Sequence, residues 1–395
     1  MRLKLIPVVI LAPLLLVGAT EPVDYGASAV ALDQTIEREY AYLDKLPDGT
    51  LPHSDVLTRE REAVHDERSL LRYAEHRIAS LADHHAITGS SFADSWTVVP
   101  TYTDLWVVFE DGRYVIDAVR PDSPASRADI QNGQQIVAID GIPVARAVAW
   151  FWSAMGLDVT PQRAAYAARV LVAGRRNRER RIVTVDSSGT ERAVVLPSLY
   201  AATDDPEPPL SVCAANGVTI VRFNNALGDR ESIAAFDAAM GSLHPDTGLV
   251  LDLRDTPSGG NTTIARAIMG WFVERPRGYQ MHNRPAEERE TGVARQWVEQ
   301  VLPRSGKYRS EMPTILVGRW TGSMGEGLAI GFAALGADVR GSMMAGLNGS
   351  VEDLPIGNTD LTIKLPTERL MTTEGQPRED YVPAPIGDRL ANVAC

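Results

Sequence analysis

The chain has 395 residues, 44% of them hydrophobic and 23% charged, with 32 glycines and 25 prolines, which excludes a single small module and any collagenous or low-complexity architecture. A formal net charge of −12 offers no electrostatic footprint for nucleic acid. Two cysteines, Cys213 and Cys395, exclude a disulfide scaffold and a four-thiolate zinc site and leave room for one bridge.

Taken in chain order, residues 1–19 read as a secretory signal: Arg2 and Lys4, an apolar run from Leu5 to Val17, and small residues at Gly18 and Ala19, as a signal peptidase requires. The run is shorter than the ~20 residues that cross a bilayer. A membrane anchor is the competing reading, but no second apolar run follows. The expected product is a soluble acidic protein, periplasmic or secreted, with no membrane span. Residues 27–95 form a helical region, in which Val64, Leu70, Leu71, Ile78 and Leu81 recur at amphipathic spacing. Two prolines and an Asp-Gly between Lys45 and His53 break it into an early and a later helix.

From Thr101 the pattern turns to short β-rich runs, Leu105–Phe109 and Tyr114–Val119, joined through Asp111-Gly112, a hairpin signal. Ser123 before Pro124 caps a short helix, and Gly133-Gln-Gln-Ile-Val-Ala-Ile-Asp-Gly-Ile-Pro-Val144 supplies a strand, a turn and a strand. This succession resembles a PDZ domain of the bacterial protease type over 101–197, with Asp129 standing for a usual glycine and Gln134 for an acidic residue. The resemblance implies that an extended peptide adds to the sheet edge; an inert spacer is the plainer alternative. Residues 201–209 are acidic and proline-rich and read as a linker. Residues 210–395 alternate continuous apolar strands (Val218–Phe223, Gly248–Leu253, Thr314–Val317) with helical segments such as Ile233–Leu243, Ala265–Val273 and Gly327–Leu335. That alternation implies an α/β domain of βαβ units around a sheet covered on both faces.

Two strand-to-helix turns of this domain invite chemistry, because such ends commonly carry sites. The first runs Leu251-Asp-Leu-Arg-Asp-Thr-Pro-Ser-Gly-Gly260; the second is Thr321-Gly-Ser-Met-Gly-Glu-Gly327. Ser323 with Glu326 also spells a capping box, and from the local sequence alone the helix cap is the favoured reading of the hydroxyl. The combination of both turns downstream of a PDZ-like domain in an exported chain resembles the tail-specific, or C-terminal-processing, serine peptidases and their tricorn-like relatives, from about Leu81 to Pro385. The resemblance implies Ser323 as nucleophile, the amides of Gly259 or Gly260 and of Met324 as oxyanion hole, and Val212–Phe223 as the opening strand.

A serine hydroxyl needs a base. The processing peptidases carry a lysine in a Gly-Lys-Gly segment, where this chain has Leu347 and Asn348; of its four lysines, Lys4, Lys45, Lys307 and Lys364, none fits. Leu81-Ala-Asp-His-His85 matches instead the leucine-x-Asp-x-His pattern of the tricorn-like branch and implies His85 as the base, with imidazole chemistry suited to the task; a solvated helix cap is the plainer reading. His84 departs from that branch. The same likeness implies Glu379 as the group that orients His85, with Glu352 as its competitor. Two adjacent histidines raise the question of zinc, but no acidic or histidine partner stands at ligand spacing, and neither a metal nor a cofactor is expected. The reading is therefore an exported serine endopeptidase acting on polypeptide substrates by way of their C-terminal tails. The alternatives are an inactive relative that binds an apolar ligand, and a PDZ scaffold.

Overall fold

The computed structural model describes residues 23–201, 207–215, 217–244, 247–257, 260–387 and 390. The signal segment, most of the linker, Gly259 and Cys395 lie outside the described residues, so neither the leader nor a Cys213–Cys395 bridge is addressed.

Three helices come first: α1 (Tyr25–Glu39), α2 (Asp55–Glu62) and α3 (Glu67–Ala79). Asp24, Ser54 and Asp66 each accept the N–H three residues on, satisfying donors that a helix start leaves without partners. Leu32 and Ile36 of α1 meet Leu70, Tyr73 and Ile78 of α3 in one core. Beyond α3, Ala82 takes a φ of 51°, a left-handed turn that leaves Asp83, His84 and His85 buried. Strand β1 (Ile87–Thr88) follows directly.

The next domain contains β2 (Leu105–Glu110), β3 (Arg113–Val119), α4 (Pro124–Arg127), β4 (Gln135–Ile139), β5 (Ile142–Pro143), α5 (Val144–Ser153), α6 (Pro161–Ala173), β6 (Arg180–Val185) and β7 (Glu191–Leu196). Its sheet runs β2-β3-β4-β6-β7, with β5 on β4. Both Asp-Gly turns have positive φ at each residue, 49° and 75° at Asp111-Gly112 and 50° and 79° at Asp140-Gly141, the geometry that lets a two-residue hairpin follow the sheet twist. Asp129 keeps a φ of 55° where the pattern has glycine, a conformation that aspartate tolerates. The sequence reading marks neither α5 nor α6. The buried Val144, Ala147, Val148 and Trp152 of α5 recur at helical spacing, and with Tyr166 and Val170 of α6 they fill the domain core.

The last domain contains β8 (Leu210–Ala215), β9 (Val218–Phe223), α7 (Glu231–Ser242), β10 (Gly248–Asp252), α8 (Thr262–Met269), β11 (Arg277–Asn283), α9 (Pro285–Thr291), β12 (Gln296–Val301), β13 (Thr314–Val317), α10 (Met324–Leu335), β14 (Asp338–Gly341), β15 (Ser350–Pro355) and β16 (Thr362–Met371). One sheet has the order β14-β13-β10-β9-β8, parallel except for β8, which pairs antiparallel with β9. The stretch Val212–Phe223 is thus a hairpin, not one strand. Val221, Leu251, Ile315 and Val317 face Ile264, Ile268, Leu328 and Phe332. The opposite residues, Ile220, Val250 and Leu316, pack against Ile386 and Leu390 of the C-terminal segment.

A second, antiparallel sheet runs β1-β16-β11-β12, with β15 on β16. Here β1 pairs Ile87 with Lys364 and Thr88 with Ile363, fastening the helical region to the catalytic domain. Among the described residues no helix is long and apolar enough to cross a membrane.

Candidate active site

The turns after β10 and β13 are bonded to each other. Thr321 Oγ1 donates to the Leu253 carbonyl at 2.6 Å, and the Gly322 N–H to the Thr256 carbonyl at 3.0 Å. A Cβ at position 322 would lie 2.7 Å from the Pro257 carbonyl oxygen, so glycine is required for this close approach. The next residue, Ser323, has φ 50° and ψ −112°, a conformation that costs a non-glycine residue about 1–3 kcal/mol and persists only where its surroundings impose it. Glu326 retains its capping-box contact, accepting the Ser323 N–H at 2.8 Å. The hydroxyl itself lies 3.2 Å from His85 Nε2.

His85 reaches this point from the end of the helical region, 238 residues earlier. Its Nδ1 is 2.6 Å from the Asn348 carbonyl oxygen. A carbonyl can only accept, so the proton resides on Nδ1 and Nε2 is left as an acceptor for the serine O–H. Burial, with the Arg378 guanidinium beside it, pushes the imidazole down to about 4. The ring is therefore neutral at pH 7 and can take a proton.

The orienting partner differs from the expected one. Glu379 Oε1 accepts from Lys45 Nζ at 2.9 Å, and Glu352 accepts from Arg284 at 3.2 Å. The backbone carbonyl of Asn348 takes the position expected for a carboxylate, because the loop between β14 and β15 reaches the imidazole first. Lys307 pairs with Asp237 and Lys364 with Asp353, away from Ser323. Met324 stands at the first position of α10, where an N–H has no acceptor within the helix. Gly260 is where any side chain would collide with the Leu227 carbonyl, so packing alone demands glycine there.

Several residues at this centre carry no catalytic role in the sequence. Asp83, the third letter of the histidine pattern, accepts from the His85 N–H, the Asn348 side chain and the Tyr40 hydroxyl. Arg378, only 2% exposed, donates to the carbonyls of Ser323, Leu347 and Gly349 at 3.2, 2.8 and 2.9 Å. Glu326 is fully buried and also accepts the N–H groups of Gly346 and Leu347. Burial lifts its carboxyl to about 7 against the pull of Arg378 and those N–H donors. His84 is structural: it stacks on Tyr166 at 4.3 Å and bonds the Val98 carbonyl at 2.7 Å, and burial pushes it down to about 3. Among the described residues no cluster of side chains is arranged to hold a metal ion.

An α/β layer with a serine turned to a neutral imidazole, set behind a small sheet domain, is the arrangement of a serine-type peptidase. Residues 217–383 match the model of peptidase family S41, and residues 115–149 that of a PDZ domain. The catalytic region belongs to peptidase family S41, and the domain before it is a PDZ domain. Among solved structures, the photosystem II D1 C-terminal processing protease is similar, with a TM-score of 0.57 and 14% identity over 92% of this chain and 94% of that one. Mature CPAF complexed with lactacystin is similar with a TM-score of 0.55 and 14% identity, over 91% and 93%. At that identity the likeness is one of fold. No curated protein matches the chain.

Proposed function

We propose that the protein is an exported serine endopeptidase, with Ser323 as nucleophile and His85 as general base. As Ser323 Oγ bonds to the scissile carbonyl carbon, its proton passes to His85 Nε2. The Met324 amide and the glycine turn at Gly259 and Gly260 hold the oxyanion. The imidazolium then returns the proton to the leaving amine, and water repeats the sequence on the acyl-enzyme to free Ser323. The observation that carries this reading is the 3.2 Å approach of His85 Nε2 to the hydroxyl. The same approach counts against an inactive relative that merely binds an apolar ligand.

The PDZ domain would deliver the polypeptide by its tail. A cleft of about 1140 Å³ lies between it and the catalytic layer, walled by Arg120 and Arg127 on one side and Arg222 and Arg254 on the other, and it supports such a path. A tail added along β2 competes with Arg169, whose Nε donates to the Val107 carbonyl at 2.9 Å.

The test is a peptide-library digest by the wild type beside Ser323→Ala and His85→Ala, with labelling by a serine-reactive probe. Both variants should lose more than about a thousandfold in cleavage, and Lys364→Ala should match the wild type. Cleavage by the serine variant would end the proposal. Export is tested by fractionating the producing cells, where retention of the uncut chain in the cytoplasm would contradict it.

A further inference from the structure

We infer that Asp83 is a positioning residue for His85, closing a ring of hydrogen bonds that holds the imidazole against Ser323. The inference rests on the reading of His85 as the base. One carboxylate, 4% exposed, grips that base in two ways. Its Oδ1 accepts the His85 backbone N–H at 2.8 Å. Its Oδ2 accepts the Asn348 side-chain amide at 3.0 Å, and the Asn348 carbonyl in turn accepts the His85 Nδ1 proton at 2.6 Å. The ring passes from carboxylate to histidine backbone, imidazole, asparagine carbonyl and asparagine amide, and returns to the carboxylate.

A backbone carbonyl carries no full charge and belongs to a loop, so it orients an imidazole only as well as the loop is held. Asp83 supplies that hold from the same short segment that carries the histidine, so base and partner share one anchor. Tyr40, at the end of α1, donates its hydroxyl to Oδ2 at 2.8 Å and ties the anchor to the helical core. Burial, with Glu379 nearby, pushes this carboxyl upward, and the three donors pull it back towards the acceptor-only form the ring uses. Neither Glu379 nor Glu352 enters the ring: Glu379 Oε1 meets Lys45 and Glu352 meets Arg284.

The test is steady-state cleavage of one peptide substrate by the full chain, on variants shown to be folded by circular dichroism. Asp83→Asn sets an NH₂ group against the donors of Asn348 and Tyr40, and kcat should fall about 10–100-fold with KM within about twofold, the cost of a base displaced by a fraction of an ångström. Asn348→Ala keeps the carbonyl, removes only its tether, and should move kcat in the same direction. In the exchange variant Asp83→Asn with Asn348→Asp, the amide again meets a carboxylate, and kcat should recover to within about fivefold of the wild type. A kcat that stays at the wild-type value in Asp83→Asn and Asn348→Ala overturns the inference, as does an exchange variant no better than either single one. Ser323→Ala and His85→Ala run alongside separate the two levels. If they still cleave, the assignment of the base fails and takes the ring with it; if only they lose cleavage, the ring alone fails.

Discussion

The two sheets of the catalytic domain are built on different terms. In the parallel sheet, β10 buries Leu249, Val250, Leu251 and Asp252, and β13 buries Ile315, Leu316 and Val317, so each strand is apolar on both faces and visible as a short continuous run. In the antiparallel sheet, β12 alternates exposed and half-buried residues up to the buried Val301, β15 has no buried residue, and β16 mixes buried with half-buried positions. The parallel sheet carries Ser323; the antiparallel one, through β1 and the segment leading into β15, carries His85 and Asn348. The parallel layer thus supplies the nucleophile, and the antiparallel one brings the group that activates it.

The bond between the layers offers the sharpest way to break this comparison. Arg378 touches the Ser323 carbonyl on one side and the Leu347 and Gly349 carbonyls on the other, 3.9 Å from the buried Glu326. Arg378→Ala leaves the carbonyls of Ser323, Leu347 and Gly349 without this buried donor and should cost about 3–5 kcal/mol, read from urea unfolding, with cleavage lost in parallel. Retention of wild-type stability would show that the layers hold together without it.

A change confined to the antiparallel layer should spare the parallel core and disturb the chemistry. At Gly89, beside β1, any Cβ collides with Thr362. Gly89→Val should therefore loosen the β1–β16 pairing, and kcat should fall about tenfold or more with KM little changed. Equal losses from Leu251→Ala, which should cost about 2–5 kcal/mol of stability, would erase the distinction in kind.

Proton dependence sets two histidines of the antiparallel layer in opposite directions. His282 of β11 is held between Glu299 and Glu368 at 3.2 and 2.9 Å; burial alone would lower it, but these carboxylates lift it to about 9. A raised pKa in the folded state contributes stability that is complete below the ordinary 6.5 and lost as pH rises through about 9. His85 is depressed to about 4, so its contribution is complete above 6.5 and lost as pH falls toward 4. Thermal melts should weaken at both ends, and His282→Gln should flatten the alkaline side alone. Cleavage should hold from pH 7 down to about 5 and fall below it as His85 takes up a proton.

The smallest effect belongs to the Lys45–Glu379 pair. Lys45 is about half exposed but Glu379 only 8%, so Lys45→Ala removes the partner of a buried carboxylate and should cost about 1–3 kcal/mol. Glu379→Gln should reduce kcat less than tenfold, since the carbonyl of Asn348, not this carboxylate, meets the imidazole. A loss as large as that of His85→Ala would restore Glu379 to the relay.

What could be read in advance follows from locality. The strands Val218–Phe223 and Thr314–Val317 match β9 and β13 residue for residue, because a fully buried parallel strand advertises itself in consecutive apolar residues. The Asp-Gly hairpins, the Ser123 cap and the Ser323 turn are each specified within a few neighbours. The strands β11, β12 and β15 carry mixed polarity, and the sequence reading leaves them out.

By itself the sequence determined the parallel layer, the small β domain before it, and the serine at a strand-to-helix turn. Tertiary structure alone decided what faces the imidazole. Asn348 offers a main-chain carbonyl, a group present in every residue, so nothing in its side-chain identity distinguishes it, and only the meeting of segments 263 positions apart selects that one from all the others. The same holds for Asp83, whose three donors come from α1, from its own turn and from the loop before β15. A hydrogen-bond partner drawn from distant segments has no period and no spacing to betray it, because its geometry exists only once the core has closed.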